Sequence, residues 1–288
     1  MNPAAEEVLL TGLLRQLRLP AVLREWRECA RQARETGERY ESFLLSVLSR
    51  EAEQRQANQL NRRLREARFP YLRPLERTKL EKWPGLSVQQ VREYAEGGWI
   101  GRRENLVILG RHGTGKTHAA IALSMEACRQ GHRVLFTTAA DLVNTLTEAR
   151  EEKQLRRYQQ RLAKYALLTV DELGYLPFSR EGAELLFQVF AQRYERGSLL
   201  VTSNLPFPEW TGIFGEAGLT AALLDRLTHH CQIWQFEWDS LRLADSLRSR
   251  QRHRENRENR AVAATAAPAG PEKDMDQAGT LTQLDPSL

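Results

Sequence analysis

Residues 110–117 read Gly110-Arg111-His112-Gly113-Thr114-Gly115-Lys116-Thr117, a complete G-x-x-x-x-G-K-T stretch. The apolar run 106–109 precedes it and a helical pattern follows, which is the strand, loop and helix setting of a phosphate-binding loop. In such a loop, backbone N–H groups point at the β-phosphate, the lysine reaches the β- and γ-phosphates, and the threonine hydroxyl holds Mg²⁺. The stretch therefore predicts an α/β fold that binds a nucleoside triphosphate, with the positive end of the next helix directed at the anion.

The composition is that of a soluble α/β protein. The chain has 288 residues, 27% charged and 41% hydrophobic, enough for one full α/β core and a smaller attached unit. Lys and Arg number 42 against 37 Asp and Glu, and the net charge of +5 permits nucleic-acid binding without requiring it. The three cysteines are odd in number and widely separated, and the N-terminus is acidic. No apolar stretch approaches the roughly 20 residues that cross a bilayer. We therefore expect a cytoplasmic protein with no membrane anchor.

The first part of the chain predicts a small all-helical domain over 1–68 and a connector over 69–98. Apolar residues recur at helical spacing in 1–68, and arginines crowd its polar face. These arginines could hold DNA phosphates, or they could pair with the interleaved glutamates on solvated helices, and the sequence favours neither. In the connector, which is punctuated by Pro and Gly, we expect Trp83, Tyr94 and Trp99 to pack on the core. The final stretch, 251–288, predicts a disordered tail.

From 105 to about 236, strand and helix patterns alternate, which predicts a parallel sheet covered on both faces by helices. We expect Asp141 to cap the helix after the second strand, and a later helix to run from Arg180 to Arg196 and stop at Gly197. The predicted strands are 106–109, 133–137, 166–170, 198–202 and 232–236.

An apolar strand is predicted to end in Asp171-Glu172, at the carboxyl edge where such sheets bind ligands. Beside a phosphate loop, the two carboxylates have different roles: Asp171 would hold Mg²⁺, and Glu172 would orient and deprotonate the attacking water. Alone, such an acid pair is weak evidence and could also begin a helix; paired with the phosphate loop it becomes strong evidence.

Three further polar residues are candidates for the same site. Asn204 ends the next strand, and its amide suits a position between γ-phosphate and water; it could also be a turn residue before Pro206. Arg226 lies on an otherwise apolar helix and could extend into a neighbouring subunit's site or form a salt bridge within its own chain. Arg242 could touch the phosphates from its own chain.

His229-His230-Cys231 resembles a metal-ligand cluster, but adjacent residues do not converge on one ion, and no distant ligand pattern accompanies them. We expect structural packing there and no metal other than Mg²⁺.

With these residues in this order, the chain resembles AAA+ ATPases, in the branch of DnaC-type helicase loaders and IstB-type transposition helpers. The resemblance extends over about residues 8–250 and predicts an AAA+ ATPase domain at 99–250. The runs that look like IstB proteins are FTTAADLV (136–143), DELGYLP (171–177), EGAELLF (181–187), TSNLPF (202–207) and LLDRLTHH (223–230).

The resemblance assigns a role to each candidate. The residues implied to contact ATP are Gly110, Arg111, His112, Gly113, Thr114, Gly115, Lys116, Thr117, His118 and Arg242. Thr117 and Asp171 would hold Mg²⁺. Lys116, Glu172, Asn204 as sensor and Arg226 as arginine finger would act in hydrolysis. The chain departs from the family at Leu241, where Tyr is usual, and at Arg111-His112, where Pro-Pro is favoured.

The implied function is that of an ATP-dependent transposition regulator. Such a protein self-assembles on duplex DNA with ATP at its subunit interfaces, hydrolyses the ATP, selects target DNA and recruits its partner transposase. Its DNA binding would be largely independent of sequence because phosphates are the contacts. Two alternatives remain open: a DnaC-like replicative helicase loader, and a DNA scaffold that uses ATP to assemble with little turnover.

Overall fold

The computed structural model describes residues 2–78, 83, 85–238 and 240. Among them, no helix is both long and apolar enough to span a bilayer. The strands are β1 (Asn105–Gly110), β2 (Val134–Thr138), β3 (Leu167–Leu173), β4 (Ser198–Ser203) and β5 (Cys231–Phe236). The helices are α1 (Pro3–Gln16), α2 (Pro20–Thr36), α3 (Tyr40–Glu66), α4 (Val88–Ala95), α5 (Gly98–Gly101), α6 (Lys116–Arg129), α7 (Ala139–Glu151), α8 (Leu155–Leu162), α9 (Arg180–Arg193), α10 (Thr211–Phe214) and α11 (Ala217–Thr228).

The five strands form one parallel sheet in the order β2-β3-β4-β1-β5. Because β1 lies between β4 and β5 while α6 leads away to β2 at the far edge, the strand order reverses beside the end of β1. Ligands of open α/β sheets bind at such a point. The predicted fold class, an α/β domain with a central parallel sheet flanked by helices and preceded by a helical region, is confirmed.

Each central strand is buried on both faces, which explains why the strands appear as continuous apolar runs rather than alternating patterns. In β1, Val107 and Leu109 pack into one core with α7, α9 and α11, whereas Leu106 and Ile108 pack into a second core with α6. Residues of the connector also pack into the second core. Trp83 and Trp99 are each only 2% exposed, and Tyr94 packs beside them, as predicted.

The N-terminal helices form a small core of their own around Leu14, Val22, Cys29 and Val47. The long helix α3 continues from this core to the sheet. At its end, the buried Ala67 accepts a 2.8 Å hydrogen bond through its carbonyl from the Phe136 N–H of β2.

Most ion pairs in this helical region join its arginines to its own glutamates, as the interpretation of solvated helices expects. Except for the buried Glu51, these side chains are largely exposed, so the exposed pairs contribute little to stability. The pairs are Arg27–Glu7, Arg31–Glu28, Arg31–Glu35, Arg39–Glu41, Arg50–Glu25, Arg55–Glu51 and Arg62–Glu66.

Glu51 is buried and caps another helix. Helix α2 begins at Pro20 with no side-chain cap of its own. The Glu51 carboxylate on α3 accepts hydrogen bonds from the N–H groups of Ala21 (2.8 Å) and Val22 (3.4 Å), and from Arg55. Burial acts to raise the pKa of Glu51, but the hydrogen bonds from Ala21, Arg55 and Val22 outweigh it and hold the pKa below 4.5.

We expect Glu51→Ala to destabilise the N-terminal helices by about 1–3 kcal/mol, because it leaves two backbone donors without their acceptor. The pKa is lowered on folding, so this contribution is present above pH 4.5 and is lost as the pH falls through the folded-state pKa. Urea unfolding followed by circular dichroism at pH 7 and pH 3 would measure both effects. Glu53→Ala, two residues further along α3 at an exposed position, should change neither.

Two predicted helix ends differ from the structure. Helix α7 is capped by Thr138, whose hydroxyl accepts from the Asp141 N–H at 3.0 Å, because the strand ends one residue later than expected. Helix α9 ends at Arg193 rather than Arg196. The buried Arg193 guanidinium donates to the carbonyls of Leu162, Tyr165, Ala166 and Ser198. These hydrogen bonds fix the end of α9 against the start of β4, so the helix ends before Gly197.

Candidate nucleotide site

The phosphate loop follows β1 and leads directly into α6. Gly113 and Gly115 have φ angles of +79° and +99°, a region that side chains rarely adopt, so the glycines are required for this turn. Gly115 is also the N-cap of α6, and no side chain caps it. The first N–H groups of α6 thus suit an anion, and this geometry fits a phosphate.

The phosphate loop is held by hydrogen bonds among its own residues and by one from Trp238, which follows β5. Lys116 Nζ donates to the carbonyls of Gly110 (2.7 Å) and Arg111 (2.8 Å). The buried Thr114 hydroxyl donates to the Arg111 carbonyl, and Trp238 Nε1 donates to the Thr114 carbonyl at 3.1 Å. The Lys116 ammonium therefore lies against the phosphate loop.

Asp171 lies beside the start of α6, as predicted. Its carboxylate is 3% exposed and accepts from the hydroxyls of Thr117 (3.2 Å) and Thr202 (2.5 Å). Burial raises the pKa of Asp171, and the hydrogen bonds from Thr202 and Thr117 offset only part of this effect. A buried carboxylate next to a threonine hydroxyl fits a Mg²⁺ site, because a cation there would favour the ionised form.

Glu172 is exposed, although Asp171 beside it in the chain is buried. Strand β3 runs through the acid pair to Leu173, past the apolar run 166–170, and its pairing with β4 shifts between Val170 and Leu173. At this irregularity Glu172 adopts a left-handed φ of +58° and is exposed. A non-glycine residue in this region is strained by about 1–3 kcal/mol, and such strain is common at functional sites. The bulge thus gives two adjacent carboxylates different environments.

Thr202, which the sequence did not single out, holds both acids. Its buried hydroxyl donates to Asp171 Oδ1 and accepts from the Glu172 N–H at 3.0 Å. The signal in the sequence was weak: a polar residue near the end of a buried strand, two positions before Asn204.

We expect Thr202→Val to reduce nucleotide hydrolysis by about 10–100-fold while leaving nucleotide binding nearly intact, because an orienting partner is lost and the phosphate loop is not. Steady-state phosphate release would measure this. Thr169→Val is the matched control, since it removes another buried hydroxyl of the same sheet, one that pairs with Ser124 at 2.7 Å. If both variants lose turnover equally, Thr202 acts only on stability.

Asn204 meets the phosphate loop directly. Its amide nitrogen lies 3.2 Å from His112 Nε2, and the His112 ring packs edge-on against Tyr175, with centroids 6.3 Å apart. The structure therefore places the Asn204 amide beside the phosphate loop, at the carboxyl ends of the neighbouring strands β4 and β1.

His118, a predicted nucleotide contact, has its ring against the connector instead. Its Nε2 lies 2.8 Å from Thr78 Oγ1, and the ring packs edge-on to Trp83. Burial, with a smaller effect of Arg73, lowers the pKa of His118, so it is neutral at pH 7.

Arg226 lies on α11, with its guanidinium 5.2 Å from the Phe187 ring centroid and Nη1 donating to the Ala222 carbonyl. Within the described part of the chain it forms no salt bridge, so the alternative of an intramolecular salt bridge is not seen there. Neither of these contacts involves the phosphate loop of its own chain. Arg242 and the predicted tail lie outside the described residues.

Comparison with known proteins gives a consistent result. The family model described as IstB-like ATP binding protein matches residues 12–249. A Pseudomonas aeruginosa protein named for insertion sequence IS21 and ATP binding is 40% identical over 206 residues, which is 72% of this chain and 78% of that one. A Geobacillus stearothermophilus protein named in the same way for IS5376 is 36% identical over 230 residues, or 80% and 92%.

Among solved structures, the chain is similar to AMPPCP-bound DnaA from Aquifex aeolicus, at 23% identity and a TM-score of 0.49 over 58% of this chain and 50% of that one. It is also similar to the DnaC helicase loader, at 18% identity and a TM-score of 0.45 over 55% and 99%. The family assignment rests on the sequence matches alone.

Proposed function

Because this chain belongs to the IstB-like ATP-binding protein family, we propose that it is an ATPase that assembles on duplex DNA, selects target DNA and recruits its partner transposase. The ATPase part of this proposal rests on the different environments of the two acids beside the phosphate loop. Asp171 is buried against Thr117, whereas Glu172 is exposed at a strained bulge. A site that only bound nucleotide would not require the second carboxylate.

Each residue has a distinct task in this proposal. The N–H groups of the loop and of the first turn of α6 hold the phosphates, and Lys116 moves from the loop carbonyls to the phosphate oxygens. Thr117 and Asp171 hold Mg²⁺, which when bound offsets the negative charge of the phosphates. Glu172 accepts the proton of the attacking water, and Asn204 orients that water.

The site is completed by a second subunit. Arg226 projects from α11 without an acid partner among the described residues, and its planar cation suits the charge on a phosphoryl group that is transferred in a neighbouring protomer. Nucleotide bound between protomers would then make assembly depend on ATP. Hydrolysis would remove the γ-phosphate that both subunits contact and so weaken the assembly.

The DNA and transposase parts of the proposal rest on the names of the relatives, which refer to insertion sequences, and on the net charge of +5. Phosphate contacts predict weak sequence preference and steep salt dependence. We further propose that the protein acts in the cytoplasm, where its free cysteines would stay reduced. Co-precipitation with ATP and duplex DNA should recover the transposase of the same element; recovery of a replicative helicase instead would identify a helicase loader.

Calorimetry tests the nucleotide site. Titration of Mg²⁺-ATP into the protein should give saturable binding, and Lys116→Ala should abolish it, because the phosphate loop loses the ammonium that reaches the β- and γ-phosphates. Lys164→Ala, on an exposed segment between α8 and β3, should bind like the parent. Absence of heat with the parent protein would contradict the proposal as a whole.

A further inference from the structure

A second cluster of potential ligands lies at the edge of the sheet opposite the phosphate loop. Glu195 lies in the turn that leads into β4, and His229 and His230 immediately precede β5. Because the strands are parallel, the residues before β4 and β5 share the amino edge, whereas the phosphate loop follows the carboxyl end of β1. The sequence predicts structural packing for His229 and His230, but both are exposed, and the fold adds a carboxylate from a distant turn.

The geometry suits a single ion. One ligand atom from each of Glu195, His229 and His230 lies within 4.8 Å of the others, and all three side chains are exposed. Ligands of one zinc ion, each about 2.0–2.2 Å from the metal, lie roughly 3.5 Å apart. Rotation of exposed side chains, which takes picoseconds to nanoseconds, is enough to bring these ligand atoms from within 4.8 Å of one another to the separation that zinc requires.

The backbone that carries these ligands is fixed. The His230 carbonyl accepts from the Asn105 N–H at 2.7 Å, and the Glu195 carbonyl accepts from Arg103 Nη1 at 2.7 Å. Glu195 itself has a left-handed φ of +57°, which ends the turn after α9. Both ligand-bearing turns are therefore anchored to the segment at the start of β1, so the cost of ordering the site is low.

A supporting contact orients one imidazole. The Tyr194 hydroxyl lies 2.9 Å from His229 Nδ1, which leaves Nε2 as the ligand atom. Histidines that bind metals commonly have their second ring nitrogen held in this way. The local charge is mixed: Arg103 and Arg226 are cationic neighbours, whereas Glu104 and Asp225 are acidic ones.

We propose that Glu195, His229 and His230 form a zinc site that joins the turn before β4 to the end of α11. Two imidazoles and one carboxylate are a ligand set that favours Zn²⁺ over Mg²⁺, which prefers oxygen ligands. Three protein ligands leave the fourth tetrahedral position for water. The site is independent of the nucleotide, although the helix that it fixes also carries Arg226.

Titration of ZnCl₂ into the untagged full-length protein at pH 7.5, with excess MgCl₂ and no nucleotide, tests the site. We expect one zinc ion per chain. Glu195→Gln and His229→Ala should each weaken the binding about 100-fold, and Tyr194→Phe about 10-fold, as the loss of a ligand and of a supporting partner predict.

Two variants serve as controls. His132→Gln, which removes a histidine outside the cluster, should bind zinc like the parent protein. Lys116→Ala should also retain zinc, so that failure of the nucleotide proposal and failure of this one can be told apart. Absence of zinc binding by the parent overturns the site, and so does equal binding by the parent, Glu195→Gln and His229→Ala.

Discussion

Replacing Glu172 by Gln should lower ATP hydrolysis by about 10²–10⁴-fold, the usual contribution of a general base. The amide keeps the size of the side chain but cannot accept a proton. Glu172 is exposed, and its hydrogen bonds to Thr202 (3.0 Å) and Tyr175 (3.3 Å) run through its backbone N–H and carbonyl, so the substitution leaves the Asp171–Thr202 contact intact. ATP affinity should therefore be unchanged, and the variant should stay assembled on DNA with ATP bound.

Phosphate release, calorimetry and sedimentation on duplex DNA would measure turnover, affinity and assembly. Glu216→Gln is the matched control, since Glu216 is exposed and its side chain does not cap α11. Hydrolysis at the parental rate in Glu172→Gln would remove the base assignment and favour a scaffold that uses ATP for assembly with little turnover.

Replacing Arg226 by Ala should lower ATP turnover by about 10³-fold or more, as loss of an arginine finger does, while each subunit still binds ATP. The local cost should be small, because the guanidinium contacts only the Phe187 ring and the Ala222 carbonyl among the described residues. Assembly in the presence of ATP should weaken, because one of the two subunit contacts to the γ-phosphate is lost.

A mixing experiment separates action in a neighbouring subunit from action within one chain. Lys116→Ala and Arg226→Ala should each be inactive alone. Mixed together, they form some interfaces in which an intact Lys116 faces an intact Arg226, so partial activity should return. No recovery across a range of ratios, together with parental assembly by Arg226→Ala, would place the finger on another residue.

The sequence by itself determined the class of fold and the chemistry of its central loop. The octet at 110–117 requires glycines at positive φ, and the structure has them there at Gly113 and Gly115. The alternation of apolar strands and amphipathic helices determined a parallel sheet, because strands buried on both faces need a helix between each pair. These features follow from local spacing, and local spacing is visible in a sequence.

Only the tertiary structure decided how distant residues meet. The bulge that buries Asp171 and exposes Glu172 depends on the pairing of β3 with β4, and Thr202 joins the two acids from the neighbouring strand. Glu195 reaches His229 and His230 because parallel strands bring the turns before β4 and β5 to one edge. Such contacts are set by strand order and register, and no periodicity along one chain segment encodes either of them.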